Sequence, residues 1–74
     1  MGTDTLQSRI GVAIRARREA MGISQEDFAD HIEMHRAYYG TIERGRRNLT
    51  LVTLEKIAVG LGIPPSRLLK EAGS

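Results

Sequence analysis

Apolar residues recur at helical spacing in several separate stretches. Leu6, Ile10, Ala13, Ile14 and Arg17 fall three and four residues apart and form one helix face. Arg17 lies at the edge of that face, where its stem packs while its head reaches water. Thr3 or Asp4 is placed to cap the start and Gly22 to stop the helix. In "SQEDFADHI", Ser24 followed by Asp27 reads as a variant capping box, with an acid replacing the usual Glu or Gln. Phe28, Ala29 and Ile32 supply the stripe of a short helix over about 25–32. A third helix is predicted over about 36–44, with His35 at its cap and Gly45 as its stop. Thr50 caps a fourth, whose stripe is Leu51, Leu54, Ile57, Ala58 and Leu61, ending at Gly62. Pro65 suits the first turn of a fifth, over about 65–71, carrying Leu68 and Leu69. No strand alternation, repeat or low-complexity segment interrupts this pattern. The predicted fold is all-α, a compact bundle of five short helices.

Length adds one constraint. The 74 residues make a single domain over residues 1–74. A core of that size rarely supplies more than about 3–5 kcal/mol without staples or oligomerisation. The chain has no cysteine, which excludes disulfides and thiolate metal sites. "MGTDTLQSRI" lacks the basic and apolar regions of a signal peptide. No apolar run approaches the ~20 residues of a membrane span. The expectation is a soluble, cytoplasmic domain without membrane association.

Net charge is only +2, but its distribution is uneven. Glu26, Asp27, Asp30 and Glu33 crowd residues 26–33 with no Lys or Arg. Arg36, Arg44, Arg46 and Arg47 occupy residues 36–47 against Glu43 alone, and Arg15, Arg17 and Arg18 form an earlier basic run. Nine of the eleven cationic side chains are arginine, the type suited to bidentate phosphate and guanine contacts.

Enzyme chemistry finds little support. His31 and His35 are the only histidines, and no strand-borne nucleophile is suggested. "HIEMH" is not the HExxH order of zinc peptidases, and the helix break near Glu33 and Met34 spoils the i, i+4 geometry. No glycine-rich loop follows a strand. No metal, cofactor or small-molecule ligand is expected.

The two-helix unit over about 25–44 is more informative. Phe28, Ala29, Ile32, Met34, Tyr39 and Ile42 are its inward positions. Ala29 is small where two helices must cross closely, at the ~90–120° of a helix-turn-helix. Such a unit offers its second helix to the DNA major groove. "IRARREAMGISQEDFA" followed by "HRAYYGTIERGRRNLTLVTLEKIAVGLGI" resembles the phage Cro and repressor-type (Xre) helix-turn-helix family. The resemblance covers about residues 6–70 and implies a homodimer acting as a transcriptional regulator on palindromic operator DNA. Within that family, the "HRAYYGTIERGRRN" type looks like the controller proteins of restriction–modification systems, a pattern that phage and chromosomal regulators share.

The resemblance carries roles to individual positions. His35, Arg36, Ala37 and Thr41 match the exposed recognition positions, and Arg36 is suited to guanine O6 and N7. Gln25 matches a glutamine that meets the DNA backbone and braces the recognition helix. Tyr38, Arg44, Arg46, Arg47 and Asn48 match positions that grip phosphates, contacts that position without reading sequence. Arg18 and Glu43 match a structural ion pair tying the first helix to the third. Leu61, Ile63, Leu68 and Leu69 are candidates for a dimer interface through the fifth helix; their alternative place is the core of one copy. The acidic second helix is compatible with DNA if it approaches end-on, because its N-terminus carries partial positive charge.

Three departures from the family stand out. Glu33 occupies the usual turn glycine and is predicted left-handed or in a modified turn. Tyr39 replaces an aliphatic residue, and Leu49 stands where proline is common. Gly40 costs a helix about 1 kcal/mol relative to alanine, and is read as permitting close approach of another helix or a phosphate. A second functional class also fits this fold: a protein-interaction module, such as an antitoxin or a regulator subunit.

Overall fold

The computed structural model describes residues 5–73. Five helices follow one another: α1 (Leu6–Ala20), α2 (Gln25–His31), α3 (Arg36–Glu43), α4 (Leu51–Leu61) and α5 (Pro65–Glu71), with no strand among the described residues. Three of them start at a hydroxyl that accepts a backbone N–H. Ser24 caps α2 through Asp27 at 3.0 Å, and Thr50 caps α4 through Thr53 at 3.1 Å. For α1 the cap is Thr5, which accepts from the Ser8 N–H at 3.1 Å. Thr3 and Asp4, the expected caps, lie outside the described residues. Thr5 takes the position because it stands three residues before Ser8, the reach an N-cap side chain needs.

A left-handed residue follows each of the five helices: Gly22, Glu33, Gly45, Gly62 and Gly73. After α3, the Gly45 N–H meets the Ile42 carbonyl at 3.0 Å and the Arg46 N–H meets the Thr41 carbonyl at 2.9 Å. This double closure is a Schellman motif, with Gly45 at φ +73°. Gly62, at φ +76°, closes α4 in the same way. Glu33 takes that place after α2, at φ +56°, with its N–H on Asp30 and the Met34 N–H on Ala29 at 2.8 Å. The predicted left-handed Glu33 is therefore present. Lys56 on α4 donates to the Glu33 carbonyl at 3.3 Å, bracing the turn from outside.

Ile14, Phe28, Tyr39, Ile42, Ile57 and Leu68 are the largest fully buried side chains and bring all five helices to one core. Burying an aliphatic or phenyl side chain of this size contributes about 1.5–3 kcal/mol. Ala29 is buried where α2 meets α3, as its small size predicts, and Met34 is half-buried beside it. The Phe28 and Tyr39 rings pack at 5.3 Å between centroids, inclined by 51°.

The fifth helix closes this core. Leu68 and Ala72 point inward and Leu61 joins them, so Leu61 and Leu68 are not surface residues. The reason is geometric: α5 has only two turns, and it must spend its best apolar positions covering α1 and α4. Of the four leucine and isoleucine residues expected at a dimer interface, only Ile63 and Leu69 retain partial exposure. Arg9 Nε donates to the Ala72 carbonyl at 2.8 Å, and Arg17 pairs with Glu71, its Nε to Oε1 distance being 3.0 Å. The Arg17 head thus reaches a carboxylate on α5 rather than water alone. Apolar surface instead lies along α4, where Leu51, Val52 and Val59 are 83%, 76% and 71% exposed.

Candidate nucleic-acid interface

A buried carboxylate fixes how α3 sits. Glu43, at the last turn of α3, receives Arg18 Nε at 2.7 Å and Arg18 Nη2 at 3.2 Å, a bidentate pair from α1. Gln25 Nε2 donates to it from α2 at 2.8 Å, and the Tyr39 hydroxyl donates from within α3 at 2.5 Å. Arg18 Nη1 also holds the Ile23 carbonyl at 2.8 Å, tying the loop before α2 to the same centre. No buried side-chain nitrogen or oxygen among the described residues lacks a partner. A buried ion pair survives only when hydrogen bonds satisfy it this fully.

The charges follow that geometry. Burial pushes the Glu43 carboxyl up, but hydrogen bonds from Arg18, Tyr39 and Gln25 outweigh it and hold the group below the usual carboxylate range. The Glu43 hydrogen bond raises the Arg18 guanidinium further. Burial, then the bond to Glu43, raises the Tyr39 phenol. All three groups keep their ordinary charge at neutral pH. The ion pair expected between Arg18 and Glu43 is therefore formed, and Gln25 and Tyr39 add two further donors to the same carboxylate. Gln25 braces α3, as one of its two expected roles requires. The hydroxyl of Tyr39, puzzling where an aliphatic residue is usual, finds its partner one helical turn away.

Two close contacts lock α3 and its following loop to α1. A Cβ at Gly11 would lie 2.4 Å from the Glu43 carbonyl oxygen and 2.7 Å from that of Ile42. One at Gly45 would lie 2.6 Å from the Ser8 Cα. Only glycine admits either approach. Gly40 is different, since a Cβ there would meet Arg44 Nη1 at 3.3 Å and Gln25 Oε1 at 3.6 Å, both ends of side chains. Of the two neighbours expected at Gly40, another helix or a phosphate, the helix backbone approaches Gly11 instead. Further along, Gln7 on α1 hydrogen-bonds the Asn48 side chain and holds the loop a third time.

The other predicted residues gather on the outer side of this anchored unit. His35 is the N-cap of α3 and makes no side-chain cap bond, leaving the first-turn N–H groups uncapped by it. His35, Arg36 and Ala37 are exposed, as are Arg44, Arg46, Arg47 and Asn48. Tyr38 is half-buried, and the Arg47 guanidinium lies over its ring, 5.2 Å from the centroid. Thr41, expected to hydrogen-bond a base or a phosphate, is half-buried; its hydroxyl donates to the Tyr38 carbonyl at 2.6 Å and accepts from Arg47 Nε at 3.3 Å. On α2, Glu26, Asp27 and Asp30 are exposed, so their charges are solvated. His31 is exposed too, its ring 6.2 Å from that of Phe28.

Known proteins share this arrangement. A family profile described as helix-turn-helix matches residues 14–68. The control protein C.MunI of a Mycoplasma species is 49% identical over 57 residues, 77% of this chain and 77% of its own length. The restriction–modification controller protein C.AhdI from Aeromonas hydrophila is 40% identical, with a TM-score of 0.80 over 84% of this chain and 94% of that one. The controller protein C.Esp1396I, solved as a tetramer with its natural 35-base-pair operator, is 36% identical. Its TM-score is 0.79, over 93% of this chain and 96% of that one. The chain belongs to the helix-turn-helix family, in the group that includes these restriction–modification controller proteins.

Proposed function

We propose that this chain is a sequence-specific regulator of transcription that binds double-stranded operator DNA as a homodimer and controls the genes of a restriction–modification system in the cytoplasm. The observation that carries this reading is the contrast along α3. Its last turn is locked to α1 and α2 through Glu43, while Arg36 and the uncapped first turn stand exposed at the other end. A helix held by its C-terminal turn and open at its N-terminus is built to enter a groove with that end leading. The uncapped N–H groups favour phosphate, and Arg36 suits the O6 and N7 of guanine. His35 and Ala37 flank it, Ala37 with a methyl for thymine. Tyr38, Arg44, Arg46, Arg47 and Asn48 supply the backbone grip, and Gln25 supports the grip through Glu43.

One copy reads only a few base pairs, so two copies about 34 Å apart on the duplex are needed for specificity. The second copy packs on the exposed α4 face of Leu51, Val52 and Val59, with the partly exposed Ile63 and Leu69 as further apolar positions. The operator-bound tetramer of C.Esp1396I is consistent with such self-association. Selection of bound sites from random duplex DNA, with the mass of the complex measured alongside, tests the proposal. It predicts a palindromic site bound by an even number of copies. Enrichment of no sequence contradicts it and favours a protein partner instead.

A further inference from the structure

Thr41 has no spare proton with which to read a base. Its hydroxyl hydrogen is committed to the Tyr38 carbonyl three residues back, a local bond that fixes the side-chain rotamer. The oxygen then faces Arg47 Nε at 3.3 Å as an acceptor. The guanidinium carbon lies over the Tyr38 ring, 5.2 Å from its centroid, within the range of a cation–π contact. Neither contact uses the two terminal nitrogens of Arg47, the fork that suits phosphate. The Thr41 backbone adds a second hold on the same loop, since its carbonyl accepts the Arg46 N–H at 2.9 Å.

We propose that Thr41 is a positioning residue for Arg47: with the Tyr38 ring, its hydroxyl holds the guanidinium in place before DNA arrives, and Thr41 contributes to binding through Arg47 instead of contacting a base. This rests on the DNA-binding reading above. An arginine left free must be immobilised when the complex forms, at a cost typical of a rotamer-rich side chain. Holding it beforehand removes part of that cost.

The test is a double-mutant cycle on the selected operator, read by fluorescence anisotropy. Thr41→Val removes the hydroxyl but keeps the branched shape and is expected to weaken binding about 2- to 10-fold. The loss should be uniform across duplexes changed at each base pair in turn, and Thr41→Ser should restore affinity. In an Arg47→Ala background, Thr41→Val should cost nothing further. Lost discrimination at one base pair, or an undiminished loss in the Arg47→Ala background, overturns the proposal. Nitrogen-15 relaxation of Arg47 Nε in the free protein decides the matter without DNA. Order present in the wild type and lost in Thr41→Val supports the clasp, and equal order in both overturns it. Wild-type protein that binds no duplex contradicts the DNA reading itself, and the relaxation result still stands.

Discussion

Within α3, the Tyr39 hydroxyl donates a 2.5 Å hydrogen bond to Glu43, the carboxylate on which Arg18 and Gln25 also converge. The bond spans one helical turn, so it adds nothing to the chain's topology. It completes the solvation of a charge that α1 and α2 both use. Tyr39→Phe keeps the ring against Phe28 and removes only the donor. Hydrogen bonds to charged groups contribute about 1.5–3 kcal/mol, and a domain of this size melts roughly 4–8 °C lower per kcal/mol lost. Thermal unfolding of Tyr39→Phe should show a drop in that range; an unchanged melting temperature contradicts the assigned bond.

The same carboxylate makes stability depend on acid. Glu43 lies below the ordinary carboxylate range when folded, so the unfolded chain binds its proton more readily. Its stabilising contribution is fully present above the unfolded value of about 4.3 and is lost as pH falls through the lower folded value. Urea midpoints should therefore fall steeply below about pH 5. Glu43→Gln should be less stable at neutral pH and flatter in acid. Glu71 is lowered in the same direction by its hydrogen bond with Arg17 but is exposed, so Glu71→Gln should leave most of the acid slope intact.

Gly11 and Gly40 are both helical glycines, and alanine should affect them oppositely. At Gly11 the new methyl meets backbone carbonyls at 2.4 and 2.7 Å, which cannot swing aside. Gly11→Ala should cost about 1–3 kcal/mol or more, since α1 and α3 must separate. At Gly40 the nearest atom ends the exposed Arg44 side chain, which can move. Gly40→Ala should raise stability by up to about 1 kcal/mol through helix propensity. Denaturant unfolding of the two variants distinguishes them, and equal effects contradict the packing described.

Glu33 holds a left-handed conformation that disfavours side chains by roughly 1–2 kcal/mol. Glu33→Gly relieves that strain while adding freedom to the unfolded chain, a partial offset. A net gain of about 1 kcal/mol or less is expected. Because Lys56 holds the Glu33 carbonyl and not its side chain, the turn should keep its shape. A destabilised Glu33→Gly in denaturant titration contradicts the strain.

Local signals were the ones legible in the chain. The stripes of α1 and α4, the Ser24 and Thr50 caps and the stops at Gly45 and Gly62 depend on neighbours a few residues away. The Arg18–Glu43 pair was legible only through family resemblance, because nothing local links residues 25 apart. The cap of α1 was expected at Thr3 or Asp4 and stands at Thr5, one residue further on, because it depends on where the first turn closes. Gly11 was missed altogether. A glycine on a helix does not announce which backbone will approach it, and here that is the far end of α3. The leucines of the fifth helix misled for a related reason: apolar character marks burial but not whether one copy or two supply it. Leu68 is already covered within a single chain. Thr41 was expected to meet a base or a phosphate through the family resemblance; only the bonds to Tyr38 and Arg47 reveal its occupied hydroxyl.

Reading of DNA by Arg36 is tested most directly by titrating wild type and Arg36→Ala against a selected operator duplex and a scrambled one across a salt series. Wild-type affinity should fall steeply with salt on both duplexes, with a slope near 0.9 per phosphate contacted. Arg36→Ala should lose about 1–3 kcal/mol on the operator, roughly 5- to 150-fold in affinity, and little on the scrambled duplex. Equal operator affinity and preference in the two proteins would contradict the role given to α3.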